Sequence, residues 1–462
     1  MNTVTRQYVE DCLNSGSRLR SAATELALPD AFAKSYGQVQ LDRPLFVPEK
    51  EISSFAADLA MLFDLLVSLP ARLFDGDLRR YCTALGMDDR IVELMCRGAG
   101  EATPPLYARA DAYHDGTAFR LLELNVGSEL GGIDSAQVNR AYLNVPAFAD
   151  FARRHQLGHV DTLSRLVARL RRVAEPVTTD EPVIGLIESN GGLAAHDHVF
   201  LAIQEAMSEQ GVRLLLGELH ELGERNGKVT LRGTPLDVVL RYFVSGELVD
   251  DPAGQQTLDT VLRAQEMGRT VLFTPLAGGA FASKASLALL HEPGVRVTLS
   301  AGERAVIDRV VPWTRLLSTS PELVGSPPRG DRAELIDRCR TDRENLVLKP
   351  GVGYGGVGSV IGHAVTDEQW QRALSDQATG DYVVQQRVRP AGEPVVNAAT
   401  GTVQDWVANW GIFVDADGYA GGFVRALKPS DGAVVSYSNP GTRGTCVFTF
   451  PNEPSHPDNA AK

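Results

Sequence analysis

The sequence predicts a mixed α/β fold made of several lobes, on three observations. The first hundred residues carry mostly helical periodicity. A β-α-β unit follows near the middle of the chain, and the last third is rich in short strands and glycine. At about 150 residues per domain, 462 residues call for more than one lobe. Hydrophobic residues make up 44% and charged residues 22%, which excludes a disordered chain. The formal charge of −13 argues against nucleic acid or an anionic membrane as a general partner. It does not exclude a small anionic ligand, which responds to a local site.

The N-terminus, Met1-Asn-Thr-Val-Thr-Arg-Gln-Tyr8, has no apolar stretch of the signal-peptide kind. No unbroken run of about 18 apolar residues is found, so no bilayer span is expected. Cys12, Cys82, Cys96, Cys339 and Cys446 are scattered and form no C-x-x-C pair. Reduced, packed thiols and a cytoplasmic location are expected.

Along the chain, residues 55–69 place apolar side chains at helical spacing, and Pro70 is expected to end that helix. Residues 89–96 give a second short helix. Residues 107–113 and 118–124 read as strands joined by the turn His114-Asp-Gly-Thr117. Residues 182–188 form a buried-strand candidate, followed by the loop Ser189-Asn190-Gly191-Gly192. A helix at 196–210 and strands at 212–216 and 236–243 complete a βαβ order. That order predicts a small parallel-sheet domain with ligands near its strand C-termini. Residues 325–331 read as a linker and 452–462 as a frayed tail. The expected divisions are 1–100, 101–178, 179–270, 271–452 and 453–462.

The most informative segment is Leu348-Lys-Pro-Gly-Val-Gly-Tyr-Gly-Gly-Val-Gly358. Gly351, Gly353 and Gly356 satisfy G-x-G-x-x-G, but a dinucleotide fingerprint needs a helix directly afterwards. Here a second strand, 359–361, follows instead, so the glycines form a hairpin tip. Such a tip can lie over phosphates and offer backbone N–H groups, with Lys349 beside them. The competing reading is a flexible surface hairpin. Gly278-Gly-Ala-Phe-Ala-Ser-Lys284 resembles a P-loop, but Ser283 stands where that loop has glycine. Lys284 is therefore expected as a nucleotide contact of another kind, or as a solvated lysine.

Asp111, Glu123 and Asn125 lie on the hairpin at 107–125. Glu123 and Asn125 are two residues apart, hence on one strand face, and Asp111 can lie across from them. Two carboxylates and an amide oxygen suit a hard cation such as Mg²⁺. Arg109, two residues before Asp111, could meet a phosphate. The bland alternative is an exposed polar hairpin face. Arg425, Asn439 and Arg443 add donors late in the chain. The strand at 382–386, ending in Gln385 and Gln386, could hold an adenine edge through its backbone. Ser189 to Gly192, with His196 and His198, and Gly127-Ser-Glu-Leu-Gly-Gly132 could touch a substrate. For the histidines, the simpler reading is a surface position at a helix start.

Taken in order, these segments resemble the ATP-grasp superfamily, and within it the circularly permuted branch that includes the glutathionylspermidine synthetase domain. Arg109-Ala-Asp111, then Leu122-Glu-Leu-Asn125, resembles that branch's metal motif. The segment 281–290 with Lys284 resembles its first nucleotide lysine, and 348–358 its second lysine with the glycine lid. Val383-Val-Gln-Gln386 is similar to the adenine hinge, and Gly422-Phe-Val-Arg425 to the strand with the triphosphate arginine. The acidic hairpin precedes the lysines, which is the permuted order. The resemblance implies a permuted ATP-grasp fold with a small preATP-grasp-like domain and an N-terminal helical segment. Its implied ligands are ATP and Mg²⁺. The metal ligands would be Asp111, Glu123 and Asn125. The nucleotide contacts would be Lys284, Lys349, Gly353, Tyr354, Gly355, Gly356, Gln385, Gln386 and Arg425. Arg109 and Arg425 would act on the reacting groups.

The implied chemistry joins a small carboxylate substrate, an amino acid or peptide, to an amine acceptor. It runs through an acyl phosphate and releases ADP and phosphate. Two alternatives stay open: a small-molecule kinase on the same fold, and a nucleotide-binding protein without turnover. A stable phosphorylated product formed without an amine would mark the kinase. No amidase-like Cys/His domain precedes the ligase segments. The oligomeric state is not legible, so a homo-oligomer stays open.

Overall fold

The computed structural model describes residues 1–14, 16–36, 40–98, 104–195, 197–317, 329–353, 356–377 and 382–451. His196, Tyr354, Gly355, most of the expected linker and the expected tail lie outside the described residues. Among those described, four sheets organise the chain.

The large sheet has seven strands. Its path runs Leu45–Pro48, Arg443–Phe450, Gly418–Leu427, Val403–Asp415, Tyr107–His114 and Phe119–Val126. Gly392–Val396 pairs the other half of Val403–Asp415. Only the edge strand Leu45–Pro48 runs parallel to its neighbour. The expected acidic hairpin is present. Asp115 holds its turn by accepting from the Thr117 and Ala118 amides, at 2.8 and 2.9 Å, and by pairing with Arg120.

Alternation along the strands divides the sheet into two faces. Ala108, Ala110, Ala112, Ile412, Val424 and Ala426 are all 0% exposed and share one core with the helix Glu49–Phe74. Small side chains on the sheet allow that helix to pack closely. The helix answers with Leu59, Leu62, Leu66 and Leu69, at three- and four-residue spacing and buried in the same core.

The helix does not stop at Pro70 as expected. It runs on to Phe74 and closes on Asp75 in the left-handed conformation, φ 54°. Pro70 removes one helical N–H, but it is buried with Leu69 and Phe74, and that packing overrides the break. This helix is also long and apolar enough, by length and composition, to cross a bilayer. Asp58 and Asp64 interrupt its apolar run, which is why no unbroken run is visible in the sequence. The first hundred residues also contain the strand Leu45–Pro48, in a region expected to be mostly helical. It pairs with a segment some four hundred residues later, register Leu45 to Val447, and four residues carry no readable period.

The parallel sheet runs Val271–Phe273, Val238–Arg241, Val183–Glu188, Arg213–Glu218. Its βαβ crossover is the helix Asp197–Glu209. Its strand Val271–Phe273 lies just past the expected boundary at 270. A small antiparallel sheet contains Thr314–Leu316, Tyr382–Gln386, Leu346–Pro350 and Val360–Ile361. The last two pair as a hairpin around the glycine segment, and no regular α-helix starts until Asp367–Gln377. The dinucleotide fingerprint is therefore excluded on geometry. The remaining sheet is Leu222–Arg225, Lys228–Leu231, Thr234–Pro235.

Candidate active site

The polar face of the large sheet meets the small antiparallel sheet, and register decides which side chains gather there. Asp111 lies opposite Glu123 on one side and Gly411 on the other. Arg109 lies opposite Asn125, and Arg425 opposite Asn409. The pairing shifts after Asp111, so Leu122 is the extra residue of a bulge. Its carbonyl accepts from Lys349 Nζ at 3.3 Å.

Asp111 is 3% exposed. Arg109 Nε donates to its Oδ1 at 2.9 Å, and Arg425 Nη2 donates to its Oδ2. Burial pushes this carboxyl up, but the two guanidiniums win and hold it down at about 2. Both guanidinium carbons stand 5.5 Å from the centroid of the Phe423 ring. Glycine is required on either side of that ring. A Cβ at Gly411 or at Gly132 would meet it at 2.6 Å.

Lys284 opens the short helix Lys284–Leu289, capped by Ser283, whose side chain accepts from the Ala285 amide. The segment before it is the helix Gly278–Ala282, not a phosphate-cradling loop, which rules out the P-loop reading. Lys284 is 6% exposed, with Nζ 2.9 Å from Glu123 Oε2. Its backbone N–H donates to Gly351 O at 2.8 Å and its Nζ to Gly353 O at 3.3 Å, so it ties down the glycine tip. Lys349 Nζ donates to Gln385 Oε1 at 2.7 Å. Its surface is part-open to the cavity, yet protein atoms surround its ammonium. That burial, with Lys284 nearby, lowers it to about 8 against the pull of Glu123.

These groups line one cavity of about 440 Å³. It collects Asp111, Glu123, Lys284, Lys349, Gly353, Gly356, Gln385, Gln386 and Arg425. The 429–436 segment supplies much of another wall.

Other expected residues sit elsewhere. Arg109 lines a smaller neighbouring pocket rather than this cavity. Asn125 Nδ2 reaches the Arg109 carbonyl at 3.4 Å and is not among the cavity residues. Ser189, Asn190, Gly191 and Gly192 stand at the end of the parallel sheet. There Asn190 Nδ2 donates to Asp251 and the Gly191 amide to Glu218, at 2.7 and 2.9 Å. Asn439 accepts from the Gly441 amide and donates to Asp431 O, and Arg443 donates to Pro440 O and Thr442 O. Both brace their own loop.

The backbone amides of Gln386 and Arg387 already donate to Trp313 O and Asn345 O, each at 2.7 Å. Gln385, 2% exposed, donates to Thr314 Oγ1 and so positions Lys349. Several cavity residues escaped the sequence, among them Asn409, 7% exposed, whose buried Oδ1 has no hydrogen-bond partner among the described residues. Its strand neighbours Trp406 to Phe413 are strongly apolar, so a lone asparagine at site-facing parity was the available signal.

Cationic groups outnumber carboxylates here, which suits a polyanionic phosphate. Among the described residues, no group of three His, Cys, Asp or Glu side chains could hold a metal. A hard cation would therefore rest on two carboxylates, an amide oxygen and oxygens of the ligand.

No protein-family profile matches the chain, and no curated protein matches it in sequence. Among solved structures, it is similar to a glutathione synthetase-like effector from Globodera pallida in its apo form. The identity is 13%, over 96% of this chain and 97% of that one, with a TM-score of 0.56. The likeness is one of fold. A candidate gamma-glutamylcysteine synthetase from Methylobacillus flagellatus KT matches more loosely, at 14% identity over 83% and 88% of the two chains and a TM-score of 0.42. The first likeness spans nearly the full length of both chains, so the mixed α/β arrangement is shared as a whole.

Proposed function

We propose that this chain is an ATP-dependent carboxylate–amine ligase of permuted ATP-grasp architecture, forming an amide through an acyl phosphate. One observation carries the reading. A single cavity holds two lysines, an arginine and two carboxylates, all paired with one another or with protein oxygens. Phosphate oxygens and a cation could take over the places of the partners that these groups give up, so that no protein charge is left unpaired. The fold likeness to an effector named for glutathione synthetase supports the class at the level of fold.

In this reading Lys284 and Lys349 leave Glu123 and Gln385 for phosphate oxygens. Asp111 and Glu123 are the carboxylates that would hold Mg²⁺, with the remaining oxygens supplied by the ligand. Bound there, Mg²⁺ would offset charge on the triphosphate. Arg109 and Arg425 orient the substrate carboxylate. A carboxylate oxygen attacks the γ-phosphorus and ADP leaves. The amine then attacks the acyl carbon, forming the C–N bond and releasing phosphate. The glycine tip covers the phosphates and keeps water from the acyl phosphate.

The test is an ADP- and phosphate-release screen of the purified chain with Mg·ATP. It uses pairs of amino acids, short peptides and polyamines, with product masses recorded. One ADP per amide formed is the expected result. A stable phosphorylated product made without an amine, or absence of Mg·ATP binding, overturns the reading.

A further inference from the structure

The helical segment that opens the chain packs behind the Lys284 helix. Its helix Leu78–Ala84 carries Tyr81, which is 0% exposed and is not among the cavity residues. The Tyr81 ring lies between Phe74, at the end of the long helix, and Phe281, with centroids 6.0 and 5.9 Å away. Phe281 belongs to the helix Gly278–Ala282, directly ahead of the helix Lys284–Leu289. All three rings share one core.

The Tyr81 hydroxyl leaves that apolar packing for a polar contact. It donates to Ser286 Oγ at 2.9 Å, and Ser286 Oγ donates to Ala280 O at 2.7 Å. Ser286 is also 0% exposed. Ala280 is in one short helix and Ser286 in the next. Between them stand Ser283, extended at φ −62° and ψ 132°, and Lys284. In a continuous helix the amide four residues after Ala280, that of Lys284, would donate to the Ala280 carbonyl. Here the Lys284 amide goes to Gly351 O in the glycine segment, at 2.8 Å. Ser286 takes its place at Ala280, and Lys284 is free to hold the tip.

A serine hydroxyl inside a helix can turn to the carbonyl three or four residues back, which for Ser286 means Ser283 or Ala282. A hydroxyl has one proton and accepts at its other positions. With the Tyr81 proton filling an accepting position, the Ser286 proton turns to Ala280, six residues back, instead of to its own helix. Helices of five and six residues do not hold a geometry alone. The junction between them depends on such outside contacts.

We propose that Tyr81 is a positioning residue: through Ser286 it sets the helix break that presents Lys284 to the cavity and to the glycine tip. The inference rests on the ligase reading for its ligand, Mg·ATP, and gives the N-terminal helical segment a part in the site. Tyr81 itself touches no substrate. Without its hydroxyl, Ser286 turns to its own helix, Ala280 O loses its donor, and the Lys284 amide is drawn back towards it.

The experiment compares Tyr81→Phe and Ser286→Ala with the natural full chain, by calorimetric binding of Mg·ATP and by amide hydrogen exchange. KM and kcat are added with the substrates that the release screen identifies. Tyr81→Phe should raise the Kd and KM for Mg·ATP about fivefold, the worth of one hydrogen bond. Its kcat should stay within about twofold, because the bound triphosphate then holds the lysine itself. Ser286→Ala should act alike, and the double variant should be no worse than either alone. Exchange at the Lys284 and Ala285 amides should quicken about fivefold in Tyr81→Phe, while the strand Val183–Glu188 exchanges as before. An unchanged Kd in a folded Tyr81→Phe variant overturns the proposal, as does a fall in kcat with KM unaltered. Additive effects of the two substitutions overturn it, and so does exchange quickened evenly along the chain, which is loss of packing alone. If Tyr81→Phe does not fold, Ser286→Ala decides by the same criteria. Failure of the natural chain to bind Mg·ATP sinks the ligase reading instead, and exchange at the two amides then decides whether Tyr81 sets the junction.

Discussion

The two faces of the large sheet are made from the same strands and do opposite work. On Tyr107–His114, Ala108, Ala110 and Ala112 turn to the helix Glu49–Phe74, each 0% exposed. Arg109 and Asp111, interleaved with them, join an ion-paired array on the other side. The apolar face is stabilised by packing, which tolerates almost no charge. The polar face is stabilised by groups that satisfy one another. A strand of period two can therefore serve a core and a site at once, and the two roles can be broken separately.

The largest effect is expected from Ala110→Asp, which puts an unpaired carboxylate into the helix-facing core. Loss of about 4 kcal/mol or more should be seen in denaturant unfolding. A variant as stable as the natural chain would show that the faces are misassigned. On the other face, Lys349→Ala and Glu123→Gln should each lower ADP release at least about 100-fold, with the fold retained and a modest fall in thermal stability, since each leaves a buried partner unmatched. Full ADP release in both variants would sink the site assignment.

Gly411→Ala tests the junction between the faces. Its Cβ would meet Phe423 at 2.6 Å, under the guanidiniums of Arg109 and Arg425. Overpacking should cost about 1–3 kcal/mol, and ADP release should fall with it. Wild-type stability and turnover together would show that the ring does not need this glycine.

The smallest effect is on pH dependence. Lys349 sits at about 8 in the folded chain, against about 10.4 when unfolded. Between those values the unfolded chain holds more protons, so the Lys349 contribution to stability rises with pH, while below about 8 its burial penalty is fully present. Activity, which needs the charged ammonium, should move the opposite way. Lys349→Met should flatten that rise in a stability profile. Asp111 acts at the other end. Its carboxyl is held down at about 2, so its contribution is present above about 3.9 and lost as pH falls towards 2.

Legibility in the sequence followed how local each cause was. The hairpin turn at 114–117 and the glycine tip at 351–358 were readable because turn chemistry is local. Lys284 and Lys349 were singled out by the motifs around them, and both line the larger cavity. Gln385 was singled out for an adenine edge, and its bond to Lys349 was not legible because the two lie on different strands. Asn409 was missed because its neighbours Trp410 and Phe413 mark a core strand. Arg109 and Arg425 looked alike in sequence, yet Arg425 lines both cavities and Arg109 only the smaller one.

By itself, the sequence determined the acidic hairpin and its turn, the βαβ order and the strands that flank the glycine segment. Those follow from period, turn residues and side-chain chemistry within a few positions. Only the tertiary structure decided register. Asp111 meets Arg425 across 314 residues, and the strand Leu45–Pro48 finds its partner at the far end of the chain. It also decided that Pro70 would stay helical and that a second pocket would open beside the first. These depend on packing between distant segments, where burial outweighs local preference.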